Sequence, residues 1–219
     1  TTDQTLNYTQ SVTITVLEFS DYNTNLRVNG NDVGTNLEVR EILIDSGEEI
    51  TLDYSVINEG NIEIELDVIV QPSNPSWYVE LIVNGLSYSK EATIQVPAGQ
   101  STVVEVIIIS PTSSLEGDFN LFNIKAEVSN FDYVINSTKL VIMDKLSIDL
   151  QSPDLIECSI GVDYSFTEFS LTNDGNSLAE LEWSFSLPPD GWVVGFANPV
   201  TSLEPRQSAN ISLGIIPPI

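Results

Sequence analysis

Carboxylates are the only acid–base groups this sequence holds in quantity. It has 32 Asp and Glu, no His and a single Cys. Ser-His-Asp and Cys-His nucleophile systems, His-ligated zinc and imidazole acid–base catalysis are therefore excluded. Glu63 with Glu65, and Glu180 with Glu182, stand two apart among alternating apolar residues. Strand geometry puts each pair on one face, an arrangement a glycosidase could use, but it is also the pattern of a face turned to water. We adopt the second reading and assign no catalytic residue. Cys158, near Leu155, Ile156 and Ile160, reads as a small buried hydrophobe and not a reactive thiol.

Oxygen-rich side chains cluster between residues 21 and 34. Asp21, Asn23, Asn25, Asn29 and Asp32 fall at positions 1, 3, 5, 9 and 12 of a calcium-loop template. Leu26 stands where that template needs Gly, and position 12 is Asp where it needs a bidentate Glu. An EF-hand is excluded, which leaves Asp21, Asn23, Asn25 and Asp32 as weak candidates for calcium in another geometry. No other cofactor is expected. Asn7, Asn136 and Asn210 each begin an Asn-x-Ser/Thr sequon, a candidate N-glycosylation site in an exported protein. Trp77 and Trp192 could stack on a sugar ring, but both recur at the same place beside apolar residues, and packing between sheets is the expectation.

The formal net charge is −25, from 7 Lys and Arg against the 32 acids. Such a chain repels phosphate backbones and anionic membranes, so no nucleic-acid partner is expected. No apolar run approaches the roughly 18 residues a spanning helix needs, and no membrane insertion is expected in this segment. The first residue is Thr1, with no leader pattern after it, which reads as a mature or excised piece.

The elements that position these residues are strands. Val12, Ile14 and Val16 alternate with Thr13 and Thr15; Ile50, Leu52, Tyr54 and Val56 do the same, as do Ile62, Ile64, Leu66, Val68 and Val70. Asn29-Gly30 and Asn84-Gly85 are hairpin signals, and residues 21–34 read as an elaborated loop or small hairpin. No apolar stripe of helical period is long enough for a helix. The chain reads as all-β.

It is also a repeat. Val56-Ile57-Asn58-Glu59-Gly60-Asn61 returns as Leu171-Thr172-Asn173-Asp174-Gly175-Asn176, 115 positions on (173 − 58). Trp77 and Trp192 keep that offset, while Gln100 and Gln207, and Pro111 and Pro218, stand 107 apart. The Asn-Glu/Asp-Gly-Asn motif offers oxygens to calcium, but reads better as a tight turn between antiparallel strands, with Asn and Gly accepting positive φ. Tyr164 and Phe166 have the opposite parity to Phe169 and Leu171, which one extra residue near Glu168 would explain as a β-bulge.

Ile219 lies one residue past the counterpart of Pro111, so the second copy has nothing matching residues 116–128. It is one or two strands short, with an exposed edge. Either the natural chain continues past Ile219, the first reading, or another chain donates a strand. Val12, Ile14 and Val16 are the candidate donor, linking subunits head to tail.

The order of features (Ser-Gly-Glu-Glu before a strand, Asn-Glu-Gly-Asn after it, a Trp-headed strand, Val-Pro-Ala-Gly-Gln-Ser, then Pro and a Gly-Asp-Phe hairpin) resembles the immunoglobulin-like modules of prokaryotic surface proteins. It is similar to the CARDB group, the cell-adhesion-related domain, and to the Ig-like module associated with alpha-galactosidases. The resemblance covers residues 37–128 and, without its last strands, 145–219. It implies two tandem immunoglobulin-like antiparallel β-sandwiches, residues 37–142 and an incomplete 143–219; the extra strand and polar loop at 1–36 are read from the residues, and the insertion at 21–34 and the missing terminal strands depart from the family pattern. It implies an exported bacterial or archaeal protein and brings no catalytic residues.

The functional expectation is a non-enzymatic structural protein of the cell surface, part of an S-layer, extracellular filament or adhesive stalk. It would associate with itself or with neighbouring surface proteins through sheet edges. The alternative is a polysaccharide-binding or spacer module of a secreted glycosidase or protease.

Overall fold

The structure, a computed structural model, describes residues 15–34, 39–129, 132–153, 156, 158 and 165–218. Among these residues there are strands and turns and no helix. The chain is all-β, as its period-two patterning requires.

Two sheets share residues 22–142. The first takes β1 (Tyr22–Val28), β2 (Asn31–Gly34), β4 (Glu49–Asn58), β6 (Tyr78–Val83), β7 (Leu86–Tyr88) and β9 (Ser101–Ile109), in the order β2-β1-β4-β9-β6-β7. The second takes β3 (Glu41–Ile44), β5 (Ile64–Pro72), β8 (Glu91–Val96), β10 (Phe119–Ser129) and β11 (Asp132–Ile142), in the order β3-β11-β10-β5-β8. Every pairing is antiparallel except β3 with β11, which run parallel. Leu52, Tyr54 and Val56 face Leu66, Val68, Phe122, Ile124 and Leu140 across one core, all essentially without solvent contact. Trp77 joins it, edge-on to Phe122 at 5.7 Å.

Residues 21–34 are a hairpin and not a loop outside the fold. β1 pairs along its length with β4, and Leu26 is fully buried. Asn29-Gly30 and Asn84-Gly85 turn their hairpins with φ of 49° and 78°, and of 51° and 78°. These are the left-handed values a two-residue hairpin of this twist demands.

The second repeat is smaller. β12 (Ile148–Gln151), β13 (Ser165–Asn173), β15 (Val193–Ala197) and β17 (Ser208–Ile216) form a sheet in the order β12-β13-β17-β15. Opposite it, among the described residues, stands the short pair β14 (Ala179–Glu180) and β16 (Ser202–Leu203). The counterparts of β10 and β11 are absent among the described residues.

The expected bulge near Glu168 is absent. β13 pairs with β17 in one unbroken register, from Ser165 with Ile215 to Thr172 with Ser208. Phe169 and Leu171 face inward, while Phe166 lies on the outer face, 64% exposed. Its ring covers Gly214, where an added Cβ would meet it at 3.3 Å. The apolar residue that suggested a parity break roofs a cross-strand glycine instead.

Candidate functional site

The repeated motif is not a hairpin turn. β4 and β5 lie in different sheets, so the stretch from Asn58 to Asn61 carries the chain from one layer to the other. Neither Gly60 nor Gly175 sits in the left-handed region. Glycine is required for close approach: a Cβ on Gly60 would stand 2.6 Å from the Phe19 carbonyl oxygen, and one on Gly175 closer still to that of Lys145.

Each residue of the motif has one task, and both copies perform it alike. Asn58 is buried; its amide donates to the carbonyls of Ile62 and Val96, and its Oδ1 accepts from Gly60 N–H at 2.9 Å. Asn173 does the same with Ser177, Leu203 and Gly175. This amide ties the crossover to the opposite sheet, with its own oxygen and nitrogen both paired. The second Asn faces the incoming chain. Asn61 donates to the Leu17 carbonyl at 2.8 Å and accepts from Phe19 N–H at 2.8 Å, while its own N–H donates to the Phe19 carbonyl. Asn176 holds Met143 and Lys145 by the same three bonds. The motif is a clamp on the segment that enters each repeat.

Further bonds join the repeats at the second clamp. Glu116 N–H donates to the Asn176 carbonyl at 3.1 Å, and the Arg206 guanidinium donates to the Thr112 carbonyl.

The other distinctive surface is the open face of the second repeat. Phe169, Trp183, Phe196 and Leu213 are the counterparts of Tyr54, Val68, Leu81 and Val106, which are all fully buried. In the second repeat they line, with Leu150 and Phe185, a cavity of about 270 Å³. Trp183 leans on Phe196 at 5.1 Å and donates its indole N–H to the Val200 carbonyl at 2.6 Å. Leu150 and Phe185 are 55% and 49% exposed.

Among the described residues no hairpin covers this face. In the first repeat Asp67 to Pro72 pair with β10; the corresponding residues 182–187 have no such partner and form no strand. Tyr22 is covered by the β10–β11 hairpin, its hydroxyl 3.1 Å from the carbonyls of Ala126 and Asp132. Its counterpart Ile148, which pairs with Asn173 as Tyr22 pairs with Asn58, is 40% exposed.

No protein family matches this sequence, and no curated protein does. Solved structures do. The N-terminal domain of PorA aligns at 13% identity over 55% of this chain and 97% of that one, with a TM-score of 0.43. The CARDB domain of a Pyrococcus furiosus protein, solved in complex with di-metal ions, aligns at 14% identity over 59% of this chain and 98% of that one, TM-score 0.35. The secreted serine protease VesC of Vibrio cholerae aligns at 12% identity over 81% of this chain and 45% of that one, TM-score 0.33.

The calcium candidates are not gathered into a cradle. Asp21 gives its main-chain carbonyl to Glu59 and Gly60 N–H. Asn23 and Asn25 lie along β1, where Asn23 Oδ1 accepts from Thr24 N–H. Asp32, on β2, is paired with Arg27 at 2.9 Å, and that hydrogen bond holds its carboxyl below the usual range. Among the described residues no three acidic or Cys side chains converge as a metal site.

Of the sequons, Asn210 is exposed on β17 and Asn7 lies outside the described residues. Asn136 is 3% exposed, and its Oδ1 accepts from the Thr24 hydroxyl at 2.5 Å. Of the donor residues, Val12 and Ile14 lie outside the described residues, and Val16 is 76% exposed with no strand pairing. Glu65 is bridged by Gln95 across the β5–β8 pair, and Glu63, Glu180 and Glu182 face solvent. No described helix is long and apolar enough to cross a membrane.

Sequence reasoning missed the clamp. Its signal was the second Asn of the motif, repeated at Asn61 and Asn176 where a simple turn requires nothing in particular.

Proposed function

We propose that the chain is a non-enzymatic structural module of an exported cell-surface assembly (an S-layer, filament or adhesive stalk) that associates through its β-sheet edges. One observation carries this reading: the second repeat presents an apolar cavity of about 270 Å³ under a sheet whose counterpart in the first repeat is fully covered. An uncovered apolar face of this kind beside unpaired strand edges is an association surface. The net charge of −25 keeps it soluble and opposes indiscriminate collapse. Calcium shared between acidic faces would relieve that repulsion.

The tryptophans give the polysaccharide-binding alternative little support, although Trp192 is only partly buried. That reading needs an exposed aromatic platform, whereas Trp77 is buried and Trp183 is folded onto Phe196.

The test is electron microscopy of the purified chain with and without calcium. Filaments or sheets of regular repeat support the proposal. Uniform single particles that bind a soluble polysaccharide would replace it with the alternative.

A further inference from the structure

One sheet of the second repeat copies the first, pair by pair, up to a single hairpin. Val193 to Ala197 of β15 pair with Ile216 to Ser212 of β17, as Tyr78 to Ile82 of β6 pair with Ile109 to Glu105 of β9. The offsets are the 115 and 107 of the repeat (193 − 78, 216 − 109). β14 pairs with β16 in the register of Ile64 with Val96 and Glu65 with Gln95. Val83 therefore corresponds to Asn198 and Ala92 to Pro199 (83 + 115, 92 + 107), and residues 84–91 between them have no counterpart. Those residues are the Asn84-Gly85 turn, β7 and the connection to β8.

Their loss bares an edge. In the first repeat β7 covers the outer edge of β6, setting Tyr88 against Leu81 and Leu86 against Val83. Among the described residues no strand pairs with the same edge of β15. β6 also carries Glu80, which accepts from the Ser87 hydroxyl, where β15 has Gly195. Charges and short covering strands are two devices that keep sheet edges from pairing with other chains. β15 has neither. Residues 192–203 contain no charged side chain, and β17 contains none.

We propose that β15 pairs antiparallel with β15 of a second copy of the chain, about a two-fold axis at Gly195. This rests on the assembly reading above and names its edge and its partner. The strand is self-complementary: centred on Gly195, Val193 meets Ala197 and Val194 meets Phe196, so all five residues pair. Val194 and Phe196 line the cavity, while Val193, Gly195 and Ala197 lie beside Phe166 and Gly214 on the outer face. Each pair thus joins residues of one face, and the two sheets merge with their apolar faces on the same side. Charge selects the same occupant. A basic partner drawn by the net charge of −25 finds no acid here, and a second acidic copy meets no repulsion. No atom stands within 4 Å of where a Cβ on Gly195 would be, so nothing overhangs the axis on the outer face. The contact is isologous and closes at two chains; growth beyond that would use other edges.

The residues opposed across the axis supply the test. V193E/A197E sets carboxylate against carboxylate at both ends of the pairing. V193E/A197K sets Glu against Lys at the same two places, while within one chain those positions stand about 13 Å apart along the strand. Circular dichroism establishes that both variants stay folded, and light scattering reads the mass. The wild-type chain is expected to rise from one chain toward two with concentration, V193E/A197E to associate at least tenfold more weakly, and V193E/A197K to recover. Wild-type-like association of V193E/A197E, or no recovery in V193E/A197K, would overturn the β15 pairing while leaving self-association through another edge intact. A wild-type chain that stays single at every concentration would overturn both this pairing and the assembly reading. If that single chain bound a synthetic peptide of residues 84–91, the edge would belong to a strand from another protein.

Discussion

Asn61 reaches back 44 positions to hold the carbonyl of Leu17 at 2.8 Å, a bond that Asn176 reproduces on Met143. Both amides also accept from the residue two further on, so each grips the entering segment along one edge. A hydrogen bond of this kind contributes about 1 kcal/mol net, and leaving its partners unpaired costs more.

Removing a clamp side chain should loosen one entry and spare the sheets. Asn176→Ala is expected to destabilise the second repeat by about 1–3 kcal/mol. Limited proteolysis should then cut between Met143 and Ile148 faster than in the wild type, with the 22–142 core unchanged. Asn61→Ala should do the same around Leu17.

Gly60→Ala and Gly175→Ala should be worse than an ordinary surface change, because the new Cβ meets backbone and not a side chain that can swing away. A loss of about 1–3 kcal/mol is expected for each, read as a lowered midpoint of urea unfolding. Gly85→Ala tests the contrast: its position is open in space but has φ of 78°, so any penalty there is conformational.

The two cores should respond unequally to truncation. Phe122 is fully buried, and Phe122→Ala should cost about 3–5 kcal/mol. Phe185, on the open face and 49% exposed, should cost on the order of 1 kcal/mol or less in the dilute chain. Thermal unfolding of the two variants decides it.

Alkaline pH should unfold the first repeat. Burial, reinforced by the carboxylates of Asp132 and Glu127, pushes the Tyr22 hydroxyl up to about 12 from an ordinary value of 10.0, and burial pushes Tyr54 up as well. The folded state therefore holds these protons more tightly than the unfolded state. Its stability is fully present below pH 10 and is lost as pH rises toward 12. Urea midpoints taken at pH 8, 10 and 11 should be level and then fall, and Tyr22→Phe should flatten the fall.

In a glycosylating host, peptide mass spectrometry should find Asn136 unmodified and Asn210 open to modification, since one is buried against Thr24 and the other is exposed.

What was legible in the sequence was local. Alternation placed β4 and β5, and Asn-Gly pairs placed two hairpins, because strand period and left-handed turns depend on near neighbours alone. Asn136 looked like a surface sequon because its partner Thr24 lies 112 positions away. Phe166 looked like a register error because nothing local reveals that it covers Gly214 on another strand. The clamp stayed hidden for the same reason: Asn61 is understood only through Leu17. The absence of strand structure over residues 182–187 was not legible, because their alternating pattern continues that of the first repeat.

The most direct test of the central claim is sedimentation equilibrium of the wild-type chain over a wide concentration range. An average mass that climbs well past one chain, and falls back in the V193E/A197E variant, is what strand-edge assembly predicts. A single chain's mass at every concentration would contradict it.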